Sequence, residues 1–285
     1  MVDERLVWVD PSGAEQDLLA QPNVFVQWGV LGRDMPAFRH IEEEVVGEFG
    51  TRLSAVKVLS REVELPLFIT AKTEAEFRSA LDHFTGLFNP LRGDGMLRSI
   101  RNGQERELTC RYKEGLEGNE DLDAGGSNGR RAMVVFRAHD PYWYDRETTE
   151  QVFTAEAPAF FPMMPMTLSA GDTFEEITID NDGHADTWLR WTIRGPMEAL
   201  KITNQSSGLY LDFGEIDLGS EDLLHIDTRP GEKLVTKNNE PWRQLKPGSR
   251  MFPLTTGANT ISAEATETTS NSLVLASYRR RWNND

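Results

Sequence analysis

Apolar and charged residues alternate through much of the first half of the chain. Leu6-Val7-Trp8-Val9 reads as a strand that stops at the turn Asp10-Pro11-Ser12-Gly13, and Val24 to Trp28 reads as the next. Gly29 to Pro36 is punctuated by glycines. Phe38 to Glu44 and Leu53 to Phe68 then carry apolar residues among Arg, Lys and Glu. Val56, Val58, Val63, Leu65 and Leu67 fall at period two within their segments, the spacing of strands with one buried face. Pro66 has no N–H to give to a ladder and so argues for an edge or a strand end.

The periodicity changes once. Phe77, Ala80, Leu81, Phe84 and Phe88 fall at i, i+3, i+4, i+7 and i+11, which builds an apolar stripe on a helix over residues 73–88. Thr73 caps it, with Glu76 three residues on completing a capping box, and Asn89-Pro90 ends it. Two strand patterns follow, Met96 to Arg101 and Gln104 to Tyr112. They are joined by Asn102-Gly103, a pair that tolerates the positive φ of a type I′ hairpin. Glu114 to Gly129 holds five glycines and five acidic residues with almost no apolar side chain, so it reads as a mobile loop before a strand at Met133 to Arg137.

That strand runs into Asp140-Pro141-Tyr142-Trp143-Tyr144, where a proline stops the ladder and three aromatics cover a seam. We read these five residues as a domain joint. Beyond it no segment combines helical period with helix caps. Strands are expected at Ile177 to Ile179, Trp188 to Ile193, Leu200 to Thr203, Leu209 to Phe213, Leu223 to Asp227, Leu234 to Thr236, Asn259 to Ala265 and Ser272 to Arg280, in the strand-turn rhythm of a sandwich. The Pro- and Met-rich stretch 157–165 reads as extended connector. The expected division is residues 1–145, a β domain of sandwich or split-barrel type with the one amphipathic helix; 146–166, a connector; and 167–285, a β-sandwich. The fold class is mainly β.

Composition narrows the function. A chain of 285 residues suits two domains at roughly 150 residues each. The single Cys110 makes no intrachain disulfide and alternates with Leu108 and Tyr112 as a buried strand position would. A net charge of −16 disfavours nucleic acid as a direct ligand. Neither a signal peptide nor an apolar run of about 18 residues is present, so no membrane insertion is expected.

No catalytic signature appears. His40, His83, His139, His184 and His225 are scattered, and no H-E-x-x-H, G-x-S-x-G or phosphate-loop motif occurs. His184-x-Asp186 and His225-x-Asp227 each place an imidazole and a carboxylate on one side of a strand, but a solvated strand end or turn accounts for both. Asp121 to Gly126 begins like a calcium loop yet puts Ala132 where a bidentate glutamate is required. No metal, cofactor or enzymatic activity is therefore expected. Trp188, Trp191 and Trp242 are candidate stacking platforms for a sugar ring, although Trp188 and Trp191 differ by an odd number, so that at least one of them is expected in the core or an interface. Arg279-Arg280-Arg281 is the one concentrated positive run and is read as an interface to an acidic neighbour or to the acidic loop of the same chain.

Several segments, in order and spacing, resemble the distal tail protein of long-tailed phages with non-contractile tails. They are residues 61–67 (REVELPL), 87–97 (LFNPLRGDGML), 110–118 (CRYKEGLEG), 140–145 (DPYWYD), 181–194 (NDGHADTWLRWTIR), 226–233 (IDTRPGEK) and 254–261 (LTTGANTI). The resemblance implies a tube-like first domain that builds a six-membered ring around a lumen for DNA, and a galectin-like or jelly-roll sandwich as the second. It implies a structural virion protein at the end of the tail, assembled in the host cytoplasm. The implied partners are further copies of itself, the tail-tube protein, and tip hub, tape-measure or receptor-binding proteins. The alternative is a carbohydrate-binding module for host surface glycans.

Overall fold

The computed structural model describes residues 4–27, 29–45, 47, 49–117, 128–153, 174, 176–242 and 244–285. The chain forms two compact units, Met1–Arg146 with Trp282–Asp285, and Glu147–Arg281.

The first unit contains β1 (Glu4–Val9), β2 (Glu15–Asp17), β3 (Val24–Val26), β4 (Phe38–Glu44), β5 (Thr51–Val58), β6 (Arg61–Thr70), α1 (Glu74–Leu87), β7 (Gly95–Arg101), β8 (Gln104–Gly115), β9 (Gly129–Ala138) and β10 (Trp143–Asp145). One antiparallel sheet runs β2-β1-β7-β8-β9-β6-β3, with β10 also on β8. The β4–β5 hairpin is a separate two-stranded sheet. The Asn102-Gly103 turn has φ of 50° and 78°, as a type I′ hairpin requires.

Alternation in β6 is strict: Val63, Leu65, Leu67 and Ile69 are buried and their neighbours are not. Pro66 departs from the sequence expectation. It sits inside β6 opposite Met133 of β9, with β3 on the other flank, so β6 neither lies at an edge nor ends there. Its carbonyl accepts from Gln27 N at 2.8 Å, one residue past the last β3 pair at Val26. The nitrogen of a strand residue faces the same way as its carbonyl. The missing donor therefore faces Gln27, just past the last β3 pair; Gln27 keeps its bond to the Pro66 carbonyl and forgoes only the return bond.

Helix α1 starts at Thr73, whose hydroxyl accepts from Glu76 N at 3.3 Å while Glu76 accepts from Thr73 N. Phe77, Phe84 and Phe88 are buried, with Ala80 and Leu81 partly so. The Trp8 ring lies 5.5 Å from Phe88 and 4.8 Å from Phe136, with Phe88 5.0 Å from Phe136. Such aromatic contacts add about 0.5–1.5 kcal/mol each beyond area burial. Gly95 is required beneath this cluster, because a Cβ there would meet the Trp8 ring at 2.5 Å.

The second unit contains β11 (Thr149–Phe153), β12 (Ile177–Asn181), β13 (Thr187–Trp188), β14 (Arg190–Arg194), β15 (Met197–Asn204), β16 (Leu209–Asp212), β17 (Asp217–Leu218), β18 (Leu223–Asp227), β19 (Leu234–Lys237), β20 (Glu240–Pro241), β21 (Pro253–Leu254), β22 (Gly257–Thr266) and β23 (Leu273–Tyr278), and the chain ends past β24 (Arg281–Trp282). Its two main sheets run β11-β23-β14-β18-β19-β20 and β12-β22-β15-β16, with β17 on β15. Phe153, Trp191, Ile193, Leu200, Phe213 and Phe252 are among the buried side chains of their shared core, a β-sandwich.

Three sequence expectations are revised here. Thr149–Phe153, placed in the connector, is a strand paired with β23, while 154–166 lie outside the described residues. The strand expected over Trp188 to Ile193 is two. β13 pairs with β21 and β14 with β18 and β23, and buried Leu189 between them accepts both the N–H and the hydroxyl of Thr228. The last long strand ends at Tyr278, and the arginine run continues into β24.

Candidate functional site

The seam at 140–145 is held in the first unit by four kinds of contact. Trp143 is fully buried in the core, whereas Tyr142 and Tyr144 stay half-buried. Asp140 orders the bend: Tyr144 Oη donates to its Oδ2 at 2.6 Å and Tyr142 N to its Oδ1 at 3.3 Å. β10 then pairs Tyr144 with Glu107 and Asp145 with Arg106. Pro141 offers its carbonyl to Arg61 Nε at 2.6 Å.

Arg61 is the centre of this arrangement, and sequence reasoning passed over it. Its side chain is buried and donates to four backbone carbonyls, those of Gly32 and Asp34 in the loop before β4, Pro141 in the seam, and Asn283 near the chain's end. Burial pulls the guanidinium down to about 10, so it stays cationic at neutral pH. The signal was present in the sequence, because Arg61 has the inward parity of Val63, Leu65 and Leu67. Gly32 supplies one acceptor from φ +80°, where a Cβ would collide with the Glu62 carbonyl.

Trp282 to Asp285 lies among the arginines of the first unit. The Arg106 guanidinium stacks 4.0 Å over the Trp282 ring and donates to Asn284 O at 2.9 Å, and Trp282 Nε1 donates to Asp145 Oδ1 at 2.7 Å. Arg33 Nε donates to Asp285 Oδ2 at 2.6 Å and its Nη1 to Glu4 at 2.7 Å, with Arg101 bonding both acids. Burial alone would raise the Glu4 carboxyl, but the hydrogen bonds from Arg33 and Arg101 outweigh it and hold Glu4 below its ordinary value. Asp285 adds no exposed surface to its side chain. The seam, the loop at 32–34 and the final residues are thus one polar network within one unit.

The other predicted residues disperse. Arg280 lies 3.6 Å from Asp182, Arg281 donates to Asp186 O at 2.9 Å, and Arg279 accepts from Thr187 through its carbonyl. Trp191 is buried at 1% exposure, which removes it from any ligand-facing surface, while Trp188 and Trp242 are half-buried. His225 meets Thr192 at 3.3 Å, and Asp227 is held by Arg229. His184 follows the strand end rather than sharing a strand with Asp186. The calcium-like turn 121–126 lies outside the described residues. Among the described residues no three of His, Cys, Asp and Glu gather as metal ligands, and no helix is long and apolar enough to cross a membrane.

Residues 182–282 match the family model described as siphovirus-type tail component, C-terminal domain. No curated protein sequence matches the chain. Among solved structures, the Dit protein of phage SPP1, described as a paradigm of the hub adsorption apparatus in phages infecting Gram-positive hosts, is similar over 98% of both chains at 16% identity with a TM-score of 0.66. A chain of the phage P2 baseplate in its activated conformation with calcium is similar over 99% of both chains at 9% identity and a TM-score of 0.54, as is one from the same baseplate with strontium. At these identities the likeness establishes the fold.

Proposed function

We propose that this chain, a siphovirus-type distal tail component, forms a closed ring of six copies joining the tail tube to the tip and host-recognition apparatus. The observation that carries the reading is agreement with the SPP1 hub protein along nearly the full length of both chains, through both units in order. The family match to residues 182–282 supports it from sequence. The role is structural: the protein joins partners and performs no chemistry.

The partners in this reading are further copies of the chain on either side, the tube protein on one face, and hub, tape-measure or receptor-binding proteins on the other. The protein resides at the distal end of the virion tail, and the ring assembles in the host cytoplasm. An acidic chain of net charge −16 lets a polyanion slide through the lumen without being held. Asp140, Pro141, Tyr142, Trp143 and Tyr144 act as the joint that fixes the last strand of the first unit before the second begins. Arg279, Arg280 and Arg281 serve an acidic neighbour.

Mass photometry of the purified protein, with electron micrographs of the same sample, tests the reading. Six protomer masses in an annulus with an open centre are expected. Particles of one protomer mass at every concentration, and still unassembled when mixed with tube protein, would overturn it.

A further inference from the structure

We infer that the β4–β5 hairpin is the element by which one copy of this chain grips the next, seated on the outward face of β3, β6 and β9 of a second copy. The inference rests on the ring reading and names the two surfaces that reading needs.

Every residue of β4 is exposed, and so is β5 up to Lys57. The register puts Phe38, His40, Val56 and Val58 on one face of the hairpin and Arg39, Ile41, Ala55 and Lys57 on the other. Large apolar side chains stand out on both faces, Ile41 at 45% and Val56 at 50% exposure. A two-stranded hairpin is marginal in water and needs a third strand or a packed face to persist. Among the described residues nothing of the chain covers either face, and a second copy of the chain can supply the cover for one of them.

The same chain carries a surface that fits. On the outward side of β9, Arg131, Met133 and Arg137 are exposed, in register with Phe68, Pro66 and Glu62 of β6, and Phe25 of β3 lies opposite Phe68. Phe25 is 50% exposed and Met133 40%, far above their buried neighbours. Arg131 and Arg137 border this apolar strip, Arg137 being shared with Glu62 and Ser60. Glu42, Glu43 and Glu44 outnumber Arg52 at the far end of β4 and β5, and Arg131 stands on the strip opposite Phe68 rather than opposite Glu62 or Glu64, so the acidic end of the hairpin has a basic partner there.

The two surfaces differ, so the contact is head-to-tail, the kind that closes a ring when the rotation allows it.

Two single-substitution chains, Val56→Cys and Met133→Cys, test the contact when mixed and oxidised. The native Cys110 is buried and contributes no background. A disulfide between the two chains is expected in the mixture and absent when Val56→Cys is mixed with wild type. Ile41→Ser with Val56→Ser is expected to reduce the assembled mass to one protomer while leaving the circular dichroism spectrum unchanged. A wild-type ring with no cross-link, and a double variant that still assembles, would overturn the hairpin contact and leave the ring standing. Cross-linking without a closed annulus would uphold the contact and overturn the ring. No assembly and no cross-link would overturn both.

Discussion

Arg61 donates from Nε to the carbonyl of Pro141 at 2.6 Å, across 80 residues of sequence, with its side chain almost wholly out of water. A buried cation is costly unless its charge is met by hydrogen bonds, and here backbone carbonyls from three segments accept four. The network makes the seam, the loop at 32–34 and the chain's last residues depend on one side chain.

Replacing Arg61 with Met is expected to destabilise the first unit by about 3 kcal/mol, because four carbonyls lose their donor. Arg61→Lys restores only part of this, since one ammonium cannot span the same carbonyls in a planar fork. Urea unfolding read on the first unit checks both, and a loss under about 0.5 kcal/mol, the scale of an ordinary surface change, would refute the role.

Trp282→Ala removes the stacking on Arg106 and the indole bond to Asp145. A loss of about 2 kcal/mol is expected from a partly buried cation–π contact and one charge-assisted hydrogen bond. Hydrogen exchange at β10 should quicken in the variant; unchanged exchange there would count against the contact.

Asp222 is held at about 2, below its ordinary 3.8, by the Asn238 amide first, then the Gly219 N–H and Lys237. A depressed carboxylate stabilises the fold above its unfolded pKa, and that contribution is lost as pH falls from about 4 towards 2. Asp222→Asn should therefore lower the urea midpoint of the second unit at pH 7 and flatten its decline between pH 4 and 2. An acid limb identical to wild type would exclude this group.

Cys110 is buried in β8 opposite Gly95 of β7, and burial pushes its thiol well above the ordinary range. The thiolate is the reactive form. A thiol reagent at pH 8 is expected to leave the native protein unmodified and to react once urea unfolds the first unit. Fast labelling of the folded chain would show that the strand opens locally.

Most of the regular structure was legible because its causes are local. The α1 stripe and its Thr73–Glu76 box need only 3.6-residue spacing and two side chains, and Asn102-Gly103 needs only tolerance of positive φ. Leu223–Asp227 was legible residue for residue from its alternation and flanking turns. Pro66 was misread because the rule about proline in strands assumes a neighbour that wants the N–H. Only the register of β3 reveals that the missing bond falls at Gln27, one residue past the last β3 pair, where its loss leaves the ladders on both sides of β6 in place. The break at Leu189 was hidden for a related reason: a continuous apolar run does not say that one of its carbonyls is claimed by Thr228.

By itself the sequence determined the β class, helix α1, the turn positions and the absence of any catalytic motif, since propensity, periodicity and capping act within a few residues. Only the tertiary structure decided that Arg61 is enclosed by carbonyls from Gly32, Asp34, Pro141 and Asn283, that Trp282 to Asp285 belongs to the first unit, and that the hairpin bears apolar side chains on two uncovered faces. These depend on partners tens to hundreds of residues apart. A local pattern says that a side chain faces inward or outward; what it meets there is set by the packing of the whole chain.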